Sequence, residues 1–176
     1  HGWRRGVAEL VGEGAHERVL IVGGGRRGYG KPAPPGRTWR EIFLKEALQH
    51  MAAADAARVF YLGSLPYASF VAVLQLSTVH VYLTYPFVLS WSLLEAMSVG
   101  CAIVASDTPP VQEVIRDGDN GKLVPFFDAD ALAGTVADLL ADGGARGRLG
   151  AKARADMVAG YDLRRVCLPS QIAWVE

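Results

Sequence analysis

The chain has 176 residues, 51% of them apolar and 20% charged, a composition that suits one globular domain with a sizeable core. Basic and acidic residues balance at 18 each, so no global field draws the chain to nucleic acid or to an anionic membrane, and any anion must be held locally. Two cysteines (Cys101 and Cys167) make no disulfide framework, the four histidines show no metal-ligand spacing, and no stretch reads as a signal peptide or membrane span; a cytoplasmic protein without a metal is expected.

In chain order, His1–Val11 reads as a helix with Trp3, Val7, Leu10 and Val11 on one face. Arg18–Val22 is a buried strand, apolar after Arg18 with β-branched Val19, Ile21 and Val22, and closed by Gly23, Gly24 and Gly25. Glycines at the carboxyl end of a strand let the backbone turn sharply and let a ligand come close. The segment Arg26–Arg37 is too rich in glycine and proline for helix or strand. It carries Arg26, Arg27, Lys31 and Arg37, and its function stays open. Thr38 is positioned to cap a helix whose apolar face includes Trp39, Ile42, Phe43, Ala47 and Leu48. Arg58–Leu62 is the next strand, ended by Gly63. Ser64-Leu65-Pro66 makes the turn into an amphipathic helix over Tyr67–Leu76.

The central unit follows. Val79–Leu83 is a strand, Thr84–Leu89 a loop, Ser90–Val99 a helix ended by Gly100, and Ala102–Ser106 another strand. The loop delivers the chain to a helix N-terminus, whose unpaired amides and positive dipole end favour an anion. Glu95 lies near that terminus. One reading makes it structural, since Ser92-Leu93-Leu94-Glu95 fits a capping box; the other makes it a ligand group. Thr108 and Pro109 start a helix through Val111, Val114 and Ile115. Asp117–Gly121 is a tight turn into the strand Lys122–Val124. Asp128 caps a further helix, with Phe127 and Leu132 as a hydrophobic staple. Gly143-Gly144 is read as a break before a helix over Ala145–Gly160. The strand–helix alternation predicts an α/β fold: a Rossmann-like, open, mostly parallel sheet with helices on both faces. Ligands in such sheets bind beyond the carboxyl ends of the strands. Gly23–Gly25, Ser64–Leu65 and Phe87–Glu95 all fall there.

The run Ser92-Leu93-Leu94-Glu95-Ala96-Met97, then Val99-Gly100, then Ile103–Asp107, resembles the donor-binding signature of family 4 (group 1) retaining glycosyltransferases, which have the GT-B fold. The resemblance covers about Gly2–Val124 and, more loosely, the C-terminus. It implies that residues 1–176 form the C-terminal, donor-binding domain of a two-domain enzyme that transfers a sugar from a nucleotide-diphospho-sugar without a metal and without a further cofactor. Glu95 matches the second of two glutamates spaced eight apart, which holds the ribose hydroxyls of the donor. The first, which contacts the donor sugar, falls at Phe87, and a phenyl ring cannot accept those hydrogen bonds. Either the amides of Val88, Leu89, Ser90 and Trp91 hold the sugar, or the activity is altered or lost. Ser90 replaces a glycine whose amide binds diphosphate. Ser64 and Leu65 correspond to the residues near which the nucleotide base rests.

Two more departures belong to the resemblance. His1-Gly2 falls where a Lys-Gly pair helps to neutralise the diphosphate, and Thr108-Pro109 stands where the family more often has two glycines. The absent N-terminal domain of the same protein is the expected partner. Tyr161–Glu176 corresponds to the segment that crosses back to it, and through Leu168 and Trp174 would offer two copies of the isolated chain a contact. The isolated chain is expected to bind nucleotide weakly without turnover. A GT-B sugar-nucleotide epimerase and a non-catalytic nucleotide-binding or interaction module are the alternatives, the second favoured by Phe87. A receiver-like signalling domain needs an acidic cluster for Mg²⁺ at its strand ends; here the strands end in Gly23, Gly63 and Thr84, and only Asp107 is acidic.

Overall fold

The computed structural model describes residues 17–24, 33–49, 51–84 and 88–175. The helix read at His1–Val11, Gly25, the first part of the Arg26–Arg37 segment and Phe87 lie outside these residues. The chain divides into two compact units, His1–Phe70 with Phe127–Ala137, and Val71–Phe126 with Asp138–Glu176.

In the first unit, β1 (Val19–Val22) pairs in parallel with β2 (Val59–Gly63), Val19 opposite Val59 and Leu20 opposite Phe60. The register shifts between Ile21 and Val22, so that Val22 faces Gly63. Between them run α1 (Trp39–Gln49) and the short α2 (Ala53–Ala56). Thr38 caps α1 as expected: its Oγ1 accepts from the Glu41 amide at 3.1 Å. The Glu41 carboxylate reaches back to the Thr38 amide at 2.9 Å, which completes a capping box. These bonds hold the Glu41 carboxyl below its usual range. Arg40 lies 3.7 Å over the ring of Tyr61, a cation–π contact that ties α1 to β2. Arg58 closes the other end of the sheet, donating to Asp55 Oδ1 at 2.7 Å and to the Glu17 carbonyl at 3.3 Å. The helix α3 (Tyr67–Leu76) begins in this unit and has the bounds its periodicity predicts.

In the second unit, β3 (His80–Tyr82), β4 (Ile103–Ser106) and β5 (Lys122–Val124) form a parallel sheet in that order. His80 pairs with Ile103 and Val104 with Lys122. All four residues of β4 are buried, as a central parallel strand covered on both faces requires. Every strand pair is therefore parallel, in two hydrogen-bonded groups flanked by helices. The helix α4 (Trp91–Val99) buries Leu93, Ala96 and Met97. Gly100 follows at φ 83°, and the amides of Gly100 and Cys101 return to the carbonyls of Met97 and Ala96. That is a Schellman ending, in which the left-handed residue carries no Cβ penalty only as glycine. Cys101 is buried, its Sγ donates to the Leu74 carbonyl at 3.2 Å, and burial raises its pKa to about 11. It is a small core residue, as read.

The helix at Thr108–Ile115 is shorter than its periodicity suggests. The helix α5 spans only Pro109–Gln112, although Val111, Val114 and Ile115 are all buried. Asn120 explains how the turn after it is held. It is fully buried; its Oδ1 accepts from the Arg116 amide at 2.7 Å, and its Nδ2 donates to the Val114 carbonyl at 2.9 Å and to Asp156 at 2.8 Å. Asp128 caps α6 (Ala129–Ala141) by accepting from the Ala131 amide at 2.9 Å. Of the two residues of the expected staple, Leu132 is buried and Phe127 is 73% exposed.

Gly143 and Gly144 do not break the chain. They form the first turn of α7 (Gly143–Tyr161), because Asp142 caps it through a 2.8 Å bond from the Ala145 amide. An aspartate cap offsets the poor helix propensity of two glycines. The helix α7 packs on α4. Arg154 donates to the Ser98 carbonyl at the end of α4. Asp162 then caps a π-helical turn, Leu163–Cys167, which runs into α8 (Leu168–Val175). Leu168, Ile172 and Trp174 of α8 are exposed. Among the described residues, no helix is long and apolar enough to cross a membrane.

Candidate functional site

The residues read as a donor site fall in both units, and each group is placed by its own sheet. In the first unit, Gly23 and Gly24 leave the carboxyl end of β1, and Ser64 and Leu65 leave that of β2. The Gly23 amide donates to the Gly63 carbonyl at 3.0 Å, and the Tyr61 hydroxyl donates to the Gly23 carbonyl. These bonds bring the two strand ends side by side. Gly63 takes φ 70°, a left-handed conformation that turns the chain out of β2 into Ser64. Gly25 lies outside the described residues.

In the second unit, the end of β3 is fastened to the end of β4. The buried Ser106 hydroxyl accepts from the Thr84 amide at 3.0 Å and donates to the Thr84 carbonyl at 2.9 Å. Val88, Leu89 and Ser90 lead into α4 at Trp91. Ser90 is the cap: its Oγ accepts from the Ser92 amide at 3.3 Å and lies 2.9 Å from Ser92 Oγ. Its own amide donates to the Tyr82 hydroxyl at 3.2 Å. Tyr82 and Ser106 are the two positioning residues that sequence reasoning missed. The signal for each was a polar tip on a residue within an apolar strand.

This geometry excludes the capping-box reading of Ser92 and Glu95. A capping box needs the first residue at the cap and the glutamate bonded to the cap amide. Here Ser92 is the second helical residue and Glu95 the fifth. The cap amide, that of Ser90, is already engaged by Tyr82. Among the described residues none bonds the Glu95 carboxylate, which is half-buried and free to accept two hydroxyls. The Ser92–Glu95 capping box is therefore absent, and the box the chain does build lies at Thr38 and Glu41. Leu93, Ala96 and Met97 point α4 at its own core, so Glu95 lies on the opposite side of the helix. Phe87, Tyr85 and Pro86 lie outside the described residues.

His80 in β3 is mostly buried, and desolvation lowers its pKa to about 4, so it is a neutral core residue. Among the described residues, no group of three or more histidine, cysteine, aspartate and glutamate side chains could hold a metal ion.

Parallel strands flanked by helices, with loops and helix starts at the strand carboxyl ends, define an open α/β protein of the kind that binds ligands beyond those ends. The backbone is similar to HepE of Anabaena in complex with UDP, with TM-score 0.76 and 20% identity over 99% of this chain and 45% of that one. It is also similar to the C-terminal domain of a group 1 glycosyl transferase, LpcC, from Francisella tularensis, with TM-score 0.73 and 16% identity over 92% of this chain and 80% of that one. The fold is that of GT-B glycosyltransferases. Residues 15–156 match the family described as glycosyl transferases group 1, and the chain belongs to that family. A phosphatidyl-myo-inositol mannosyltransferase of Mycolicibacterium smegmatis is 48% identical over 50 residues, 28% of this chain and 13% of that protein. The protein of the same name from Mycobacterium leprae is 44% identical over 70 residues, 40% of this chain and 18% of that one. The chain thus matches less than a fifth of either mannosyltransferase and spans less than half of HepE.

Proposed function

We propose that this chain is the donor-binding domain of a retaining, metal-independent glycosyltransferase, and that Glu95 holds the ribose of a nucleotide-diphospho-sugar. Membership of the group 1 family supports glycosyl transfer. The observation that carries the residue assignment is the uncommitted Glu95 carboxylate: the helix start it would otherwise serve is already capped by Ser90 and Tyr82. In this reading the start of α4 faces the diphosphate. The Ser90 amide is engaged by Tyr82, and the Ser92 and Leu93 amides return to Ser90. Among the described residues the Trp91 amide has no partner, which makes it the first donor available to a phosphate oxygen. The dipole of α4 adds to it, so that negative charge growing on the leaving diphosphate is stabilised without a metal. Within the first unit, the resemblance alone assigns Ser64 and Leu65 to the base, and Gly23 and Gly24 leave the backbone open to close approach. The acceptor and much of the catalytic geometry would come from an N-terminal domain, a division supported by the likeness to an isolated C-terminal domain of the same family.

Phe87 favours a second reading, in which the domain binds nucleotide but transfers nothing, because an aromatic ring stands where a donor-sugar carboxylate is expected. Calorimetric titration with UDP, GDP and ADP tests the first. The proposal expects one of the three to bind, and Glu95→Ala to weaken it about tenfold or more, equivalent to about 1.4 kcal/mol. Unchanged affinity in Glu95→Ala would remove the assignment. Epimerisation of the free nucleotide sugar would instead move the chain to the epimerase class.

A further inference from the structure

Trp91 is a large apolar side chain left in solvent at a place where the fold has no need of one. It is 81% exposed as the first residue of α4, and Val88, three residues before it, is 58% exposed. The helix does not use the indole for packing, since its buried residues are Leu93, Ala96 and Met97. Trp91 and Glu95 are four residues apart on one helix, which makes them neighbours on one face. A helical side chain lies over the turn that precedes its own Cα, so the Glu95 carboxylate is directed towards the turn that carries Trp91. The face therefore presents an unbonded carboxylate next to a flat, exposed indole.

That pairing has a recognisable chemistry. A carboxylate accepts hydroxyl hydrogen bonds, and an indole covers an apolar surface while its N–H stays in water. A pyranose ring offers both features: hydroxyls around its rim and C–H groups on its faces. We propose that the Trp91 side chain packs against the C–H face of the donor's transferred hexose, so that an apolar platform contributes to sugar binding. The assignment rests on the reading of Glu95 as the ribose ligand. From the ribose, the donor continues through the diphosphate to the hexose. Trp91 lies one turn nearer the start of α4 than Glu95, on the diphosphate side, so the ring it meets is the hexose rather than the base. This role belongs to the side chain and is separate from that of the Trp91 amide.

The test compares nucleoside diphosphates with nucleotide sugars on the 176-residue chain. UDP, GDP and ADP, and then UDP-glucose, GDP-glucose and ADP-glucose, are titrated into wild type, Trp91→Ala, Trp91→Phe and Glu95→Ala. Trp91→Ala is expected to weaken the bound nucleotide sugar about tenfold while moving the bare diphosphate less than about threefold, with Trp91→Phe keeping most of the affinity. Because the side chain is exposed, the melting temperature should hardly move, which separates this role from a structural one. Equal losses for diphosphate and sugar conjugate in Trp91→Ala, or no loss for either, would overturn the platform while leaving the Glu95 reading intact. Failure of wild type to bind any of the diphosphates would overturn both. Loss of diphosphate binding in Glu95→Ala with wild-type behaviour in Trp91→Ala would overturn the platform alone.

Discussion

Asn120 shows how much a single buried side chain can hold. Its amide group satisfies the Arg116 amide, the Val114 carbonyl and Asp156 from a position with no solvent exposure. Replacing it with alanine orphans two backbone groups at once, which should cost on the order of 3 kcal/mol in denaturant unfolding. Thr108 is the opposite case. It has cap geometry but makes no cap bond, and its buried hydroxyl has no partner among the described residues. The cause is local: Pro109 and Pro110 have no amide hydrogen, and the Val111 amide already bonds the Thr108 carbonyl. Thr108→Val keeps the shape and removes the orphan, so it should raise stability by about 1 kcal/mol, read as a higher melting temperature. His80 sets an acid limit. Its folded pKa of about 4 lies below the 6.5 of an exposed histidine. Above pH 6.5 the group is neutral in both states; as pH falls from 6.5 towards 4 the unfolded chain alone takes the proton, and stability is lost. The loss should approach about 3 kcal/mol at pH 4, and a pH series on His80→Asn should lack that component.

At the scale of the elements, the contact of α7 with α4 is set by two glycines. A Cβ on Gly150 would stand 2.2 Å from the Gly100 carbonyl oxygen, which is backbone and cannot swing aside. Gly150→Ala should therefore destabilise by about 3 kcal/mol despite alanine's better helix propensity. On the same helix a Cβ at Gly147 meets nothing within 4 Å, so Gly147→Ala should stabilise by about 0.5–1 kcal/mol. The two melting temperatures should move in opposite directions. Elements governed by local pattern were legible in the sequence: the strands lie within about a residue of their expected bounds, and α3 matches its periodicity. Elements governed by a single side-chain bond were not. Gly143-Gly144 looked like a break because composition does not show that Asp142 would cap a helix through them. Val114 and Ile115 looked helical because burial has the same periodic sign whether a segment is helix or a turn pinned by Asn120.

For the whole molecule, the fold follows the parallel α/β order that the strand–helix alternation already implied, and the family rests on the match over residues 15–156. The candidate site was legible in a different way. Glycines and turns at strand ends marked where a ligand could approach, but only the resemblance around Glu95 singled out one carboxylate as a candidate ribose ligand. Sequence alone left the Ser92–Glu95 pairing open, because spacing fits a capping box equally well; the placement of Ser90 and Tyr82 rules out that box. The most direct measurement of the donor site is a titration of the ¹⁵N-labelled chain with UDP, GDP and ADP, followed by amide correlation spectra. The account predicts saturable shifts, for one of the three, centred on the Trp91 and Glu95 amides, with Asn120 and Gly118 unmoved. Saturable shifts that leave Trp91 and Glu95 in place, or none with any of the three nucleotides, would contradict it.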